Sequence, residues 1–63
     1  KEVNTMKTHE YLVTLLNKET TETIDMFYIN ANDINNAQQI ANDLTHEYDS
    51  IPYYEISASV ETA

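Results

Sequence analysis

Asp43, His46 and Glu47 are the side chains in this sequence best spaced to do chemistry together. On a helix they fall at i, i+3 and i+4, which puts two carboxylates and an imidazole on one face. Those oxygen and nitrogen donors suit a divalent metal. An open helical face does not make a site, however, because zinc needs a closed or nearly closed ligand set held by ordered neighbours. The spacing reads as a solvated acidic face with one histidine, and no metal or other cofactor is expected. His9, just ahead of the first apolar run, reads as solvent-exposed. The other acids are scattered at Glu2, Glu10, Glu19, Glu22, Asp25, Asp33, Asp49, Glu55 and Glu61. Paired carboxylates do acid–base work only where a cleft drives their pKa values apart. Cysteine and glycine are both absent, which removes a thiolate nucleophile and a glycine-rich phosphate loop. No Ser/His/Asp set sits in a nucleophile elbow. Enzyme activity is not expected.

Charge narrows the partner class. Eleven acids stand against three lysines, with no arginine, for a net charge of −8. Direct nucleic-acid binding is disfavoured, since that affinity rests on Lys and Arg neutralising phosphates. Anionic membrane surfaces are disfavoured for the same reason. A protein partner with a basic surface fits, including the nucleic-acid channel of a host enzyme. The same charge also keeps a small chain soluble.

A chain of 63 residues makes one domain. At this size only about 60% of the unfolded surface is buried, so stability is marginal without a staple. No disulfide is available, which leaves oligomerisation or partner binding as ways to bury more area. No run of about 18 apolar residues exists to cross a membrane. Residues 1–9 are polar, lack the apolar centre of a signal peptide, and read as a flexible N-terminal segment ahead of a single domain over residues 10–63. A cytoplasmic location follows as the expectation. Met6 could be the natural start, with residues 1–5 an extension or a tag remnant.

The elements that must position these residues follow from periodicity. From Glu10, Tyr11, Val13 and Leu15 alternate with Leu12, Thr14 and Leu16, a strand apolar on both sides. Residues 17–21 have the length of a hairpin loop, with Asn17 the residue suited to positive φ where glycine is missing. A second strand over residues 22–31 sets Phe27, Ile29 and Ala31 against Ile24, Met26 and Tyr28. Asn32 is placed to cap a helix starting at Asp33, whose charge suits the positive end of the helix dipole. Ala37, Ile40, Ala41, Leu44 and Tyr48 then form one apolar stripe. Ile51-Pro52 stops the helix. A third strand over residues 53–60 puts Tyr54, Ile56, Ala58 and Val60 inward, and Tyr53, Glu55, Ser57 and Ser59 outward. The fold class is α+β, in the order β-β-α-β, with a three-stranded antiparallel sheet in spatial order 2-1-3 and one helix on one face.

One helix covers one face of such a sheet. Leu12, Leu16, Ile24, Met26, Tyr28 and Tyr53 are then left on the other, and contiguous exposed apolar surface marks a partner site. Tyr28 and Tyr53 add weight, since exposed tyrosine is enriched at protein interfaces. Tyr11, Tyr48 and Tyr54 fit the core instead. Asp43, Glu47 and Asp49 form a separate acidic surface at the end of the helix. The chain therefore reads as a small acidic protein-binding module. The alternatives are a nucleic-acid mimic that uses Asp43, Glu47 and Asp49 as phosphate surrogates, and a homodimer joined through outer faces or edge strands.

Residues 24–60 carry a resemblance. Tyr28-Ile29-Asn30-Ala31 ends a strand, Asn32-Asp33-Ile34 starts a helix, Ala37 and Ile40-Ala41 give its spacing, and Tyr54-Glu55-Ile56-Ser57 begins the last strand. This pattern resembles the early phage proteins of the T7 type that inhibit host RNA polymerase. The resemblance implies a phage-encoded inhibitor or modulator of a host protein, built as a small sheet with one helix. The family's last strand continues with basic side chains, where this chain has Ala58 and Val60.

Overall fold

The structure, a computed structural model, describes residues 8–63. The expected N-terminal segment thus lies outside the described residues, apart from Thr8 and His9. The chain runs β1 (His9–Asn17), β2 (Thr23–Ala31), α1 (Ile34–Thr45), a single 3-10 turn (Tyr53–Glu55) and β3 (Ile56–Thr62). The strands form an antiparallel sheet in the order β2-β1-β3. This is the α+β fold that the periodicity predicts. β1 is central because it is the strand most apolar on both sides. It begins one residue earlier than expected, with His9 paired to Ala31, so His9 belongs to the sheet and not to the segment before it.

Alternation in β1 decides the core. Val13 and Leu15 are 0% exposed, Tyr11 is buried, and Leu12, Thr14 and Leu16 between them are half-buried. Val13 and Leu15 pack with Ala41 and Ile56, while Tyr11 packs with Ala31 and Ala37. The helix meets the sheet through Ala37, Ala41 and Thr45, all buried. Ile40, Leu44 and Tyr48 flank that line and are only half-buried. Periodicity alone did not mark Thr45. Its hydroxyl stays satisfied in the interior by donating to the Asn42 carbonyl at 2.6 Å.

Several boundaries differ from the expectations, each for a local reason. The helix cap is Asp33, not Asn32: Asp33 is extended, and its carboxylate accepts the Asn36 N–H at 2.7 Å. Asn32 instead donates its backbone N–H to Asn36 Oδ1, so the two residues act as a reciprocal pair across the first turn. The helix ends at Thr45, well before Ile51-Pro52. Its last turn has no basic residue, and Glu47 and Asp49 beyond it oppose the negative end of the dipole. Glu47 and Tyr48 N–H groups bond three residues back, to Leu44 and Thr45, and tighten the exit. In the hairpin loop, Thr21 takes positive φ (62°) and Asn17 does not. Asn17 serves with its side chain instead, accepting the Glu19 and Thr20 N–H groups at 2.8 and 3.2 Å. After Pro52, Tyr53–Glu55 turn back on themselves through a bond from Glu55 N–H to Pro52 O, so β3 starts only at Ile56.

Replacing the cap, Asp33→Ala, leaves the Asn36 N–H without its acceptor. It is expected to cost about 0.5–2 kcal/mol, read as a lowered urea midpoint. Asp33→Asn keeps the acceptor and should retain most of the stability.

Candidate protein-binding face

Residues paired across an antiparallel ladder point to the same side, so the register lays out the face opposite the helix row by row. Tyr28, Leu12 and Glu61 form one row. Met26, Thr14 and Ser59 form the next, and Thr23, Leu16 and Ser57 the third. Asn30 and Glu10 sit beyond the first row. Tyr28 is 60% exposed and Met26 55%, with Leu12 and Leu16 half-buried beside them. Four of the six expected residues, Leu12, Leu16, Met26 and Tyr28, therefore share this face.

Ile24 does not join them. Leu15 pairs with Asp25 but Leu16 pairs with Thr23, so Ile24 is an extra residue in β2. A bulge of this kind offsets the alternation, and Ile24 packs against the buried cluster of Val13, Leu15, Ala41 and Ile56. Strict alternation through residues 22–31 misses this because a bulge has no glycine or proline marker here.

Tyr53 is also elsewhere. It lies in the turn before β3 and stacks on His46, with ring centroids 4.0 Å apart and planes 25° from parallel. Tyr54 meets Tyr53 edge-on at 5.6 Å and is 63% exposed, so it is not a core residue. These rings gather beside the exit of α1, close in sequence to the exposed acids Glu47 and Asp49. Asp43, also exposed, lies one turn earlier on the helix. No group of three or more His, Cys, Asp or Glu side chains converges as a metal site among the described residues. The imidazole of His46 is engaged with a phenol ring.

Asp25, opposite Leu15 on the helix side of the sheet, accepts the Tyr48 hydroxyl at 2.9 Å. Burial, then the hydrogen bond and negative charge of Asp25, push the Tyr48 phenol pKa above its ordinary value. The folded chain therefore holds this proton more tightly than the unfolded one. The resulting stability is complete below the ordinary tyrosine value of about 10 and is lost as pH rises through the folded value. Tyr48→Phe is expected to cost about 0.5–1 kcal/mol at neutral pH. It should also flatten the decline in stability at alkaline pH, as read by urea titrations at pH 7 and above pH 10.

A depression in the described surface lies at one end of the sheet, lined by His9, Glu10, Tyr11, Thr62 and Ala63. It offers the His9 imidazole, the Glu10 carboxylate and the hydroxyls of Tyr11 and Thr62, with no hydrogen bond among these side chains, and the His9 and Tyr11 rings meet edge-on at 6.4 Å. Among the described residues no helix is long and apolar enough to cross a membrane.

The carboxylates that rim the outer face were not singled out by sequence reasoning. Glu61 is across from Leu12, and Glu10 lies two residues before Leu12 on the same side. The signal was available only through register. Of the eleven acids, only Glu2 lies outside the described residues, and of the three lysines only Lys18 lies inside them. Comparison with protein-family models, with characterised proteins and with solved structures returns no match for this chain.

Proposed function

We propose that this protein is a non-enzymatic binding module that docks a basic protein surface onto the outer face of its sheet. The observation that carries the reading is the exposed pair Met26 and Tyr28 beside Leu12 and Leu16, opposite α1 and rimmed by Glu10 and Glu61. Exposed apolar area with a polar rim is the ordinary make-up of a protein interface. Charge complementarity speeds encounter and selects partners, while the apolar centre supplies most of the affinity. The likeness of residues 24–60 to phage inhibitors of RNA polymerase adds a class of target, a host enzyme with a basic nucleic-acid channel.

The test is capture of a partner from host lysate, followed by titration of the purified pair. Met26→Asp places a charge in the centre of the patch and is expected to weaken binding at least about tenfold, or about 1.4 kcal/mol. Tyr28→Ala should act in the same direction. Both side chains are exposed, so folding should be unaffected. Full binding by both folded variants would remove the face from consideration. Raised salt should slow association more than it changes dissociation. If salt alone abolished binding and Met26→Asp had no effect, Asp43, Glu47 and Asp49 would take over as the contact surface, in the manner of a nucleic-acid mimic.

A further inference from the structure

β1 is bonded on both sides, so among the described residues β2 and β3 are the edge strands of the sheet. Along an antiparallel ladder, alternate residues bond to the neighbour and those between turn their N–H and C=O outward. The Ala63 N–H bonds to Glu10 O at 3.1 Å and the Lys18 N–H to Glu55 O at 2.9 Å. These bonds put Ser57, Ser59 and Glu61 in the paired set of β3 and turn Ala58 and Val60 outward. Part of that edge is covered, although the Val60 N–H and C=O meet no partner among the described residues. Gln38 of α1 donates its side-chain amide to Ala58 O at 3.1 Å and to Asn42 Oδ1 at 3.1 Å, and α1 lies chiefly over β3.

The β2 edge is different. Even-numbered residues of β1 serve β3, so Tyr11, Val13 and Leu15 serve Ile29, Phe27 and Asp25, which turns Met26, Tyr28 and Asn30 outward. The Met26 N–H is taken by the Asp25 carboxylate at 2.8 Å. This bond and the bulge at Ile24 close the start of the edge, as edge strands commonly do. Beyond it, the outward groups of Tyr28 and Asn30 meet no partner among the described residues. The same strand is thinly covered on both faces: Met26 and Tyr28 are exposed on one side, and Phe27 and Ile29 only half-buried on the other.

We infer that the open end of the β2 edge, at Tyr28 and Asn30, captures an extended basic segment of the partner protein as a fourth strand. This rests on the reading of the chain as a protein-binding module and adds the geometry of capture. Main-chain bonds to the edge would supply affinity, and alternate side chains would reach Tyr28 and Met26 on one face and Phe27 and Ile29 on the other. Charge selects the occupant. A second copy of this chain brings another net charge of −8 and is repelled, whereas a strand flanked by Lys and Arg is attracted.

The probe is a pool of short synthetic peptides with Val, Ile, Thr and Tyr in the centre and Lys or Arg at both ends, with Asp/Glu-ended counterparts beside it. The basic peptides should bind and slow amide hydrogen exchange at Tyr28 and Asn30. N-methylation of the alternate peptide amides should weaken binding about tenfold or more, through loss of main-chain bonds, without any change to this protein. Asn30→Pro, which removes only an outward N–H, should do the same. Thr62→Pro on the β3 edge should leave binding intact. Failure of every basic peptide to bind, equal binding of the acidic ones, or indifference to N-methylation would overturn the proposal. So would sedimentation as a dimer that Asn30→Pro dissociates, which would give the edge to a second copy. Should a purified partner bind in a way sensitive to Met26→Asp but not to Asn30→Pro, the outer face stands and strand addition falls.

Discussion

Leu15→Ala is expected to destabilise the protein by about 2–5 kcal/mol. Leu15 is 0% exposed and sits in the cluster with Val13, Ala41 and Ile56. Its removal forfeits the transfer of the lost carbons and leaves a cavity between the central strand and the helix, where neighbours on three elements hold the walls apart. A domain of 63 residues has about 3–9 kcal/mol of total stability at ordinary values per residue. This one substitution therefore removes a large share of it and should leave a measurable unfolded population in water. Leu16→Ala is the internal comparison. Leu16 is the same residue type one position later, half-buried on the outer face, and should cost less than about 1.5 kcal/mol. Urea denaturation of the two variants reads the difference directly. Equal losses would mean that the face assignment of β1 is wrong.

Ala41→Leu should be the second most damaging change, at about 1–3 kcal/mol and more if the helix cannot shift. Alanine and leucine differ little in helix propensity, so the isolated helix would tolerate the exchange. The cost arises from position. Ala37 and Ala41 are 0% exposed, and their small side chains let the helix backbone lie close to β1 and β3. A leucine at Ala41 meets Val13, Leu15 and Ile56, which have no room to yield in a close-packed core. Lifting the helix would also lengthen the Gln38 to Ala58 bond at the β3 edge. Ile40→Ala, beside the contact line, should cost less than Ala41→Leu, although it deletes atoms instead of adding them. Equal circular-dichroism helicity with a lowered urea midpoint is the expected signature of Ala41→Leu.

The outer-face assignment was legible where alternation is regular and not where it breaks. Leu12 and Leu16 follow from β1, which pairs without interruption along its length on the β3 side. Met26 and Tyr28 follow from the part of β2 beyond the bulge. Ile24 was misplaced because one extra residue offsets a period of two, and nothing in Thr23-Ile24-Asp25 announces it. Tyr53 was misplaced because Pro52 restricts only the backbone next to it, while the turn after it is closed by a bond between Glu55 and Pro52. The stacking of Tyr53 on His46 joins residues from two elements and has no local signal.

What the sequence determined by itself is the element order, the antiparallel sheet with β1 at its centre, and the buried Tyr11, Val13, Leu15, Ala37 and Ala41. Each follows from short-range patterns of apolar spacing and punctuation, which act through burial and are read along the chain. Tertiary structure alone decided which edge the helix partly covers. Gln38 is an ordinary polar helix residue until the helix is laid over β3, where its amide meets the carbonyl of Ala58. Asp25 is one acid among eleven until the exit of the helix brings the Tyr48 hydroxyl to its carboxylate. Hydrogen bonds of this kind depend on angle and distance between elements, and no periodicity encodes them. The result is a sheet whose β3 side is partly covered by the helix and whose β2 end lies beside the exposed Met26 and Tyr28.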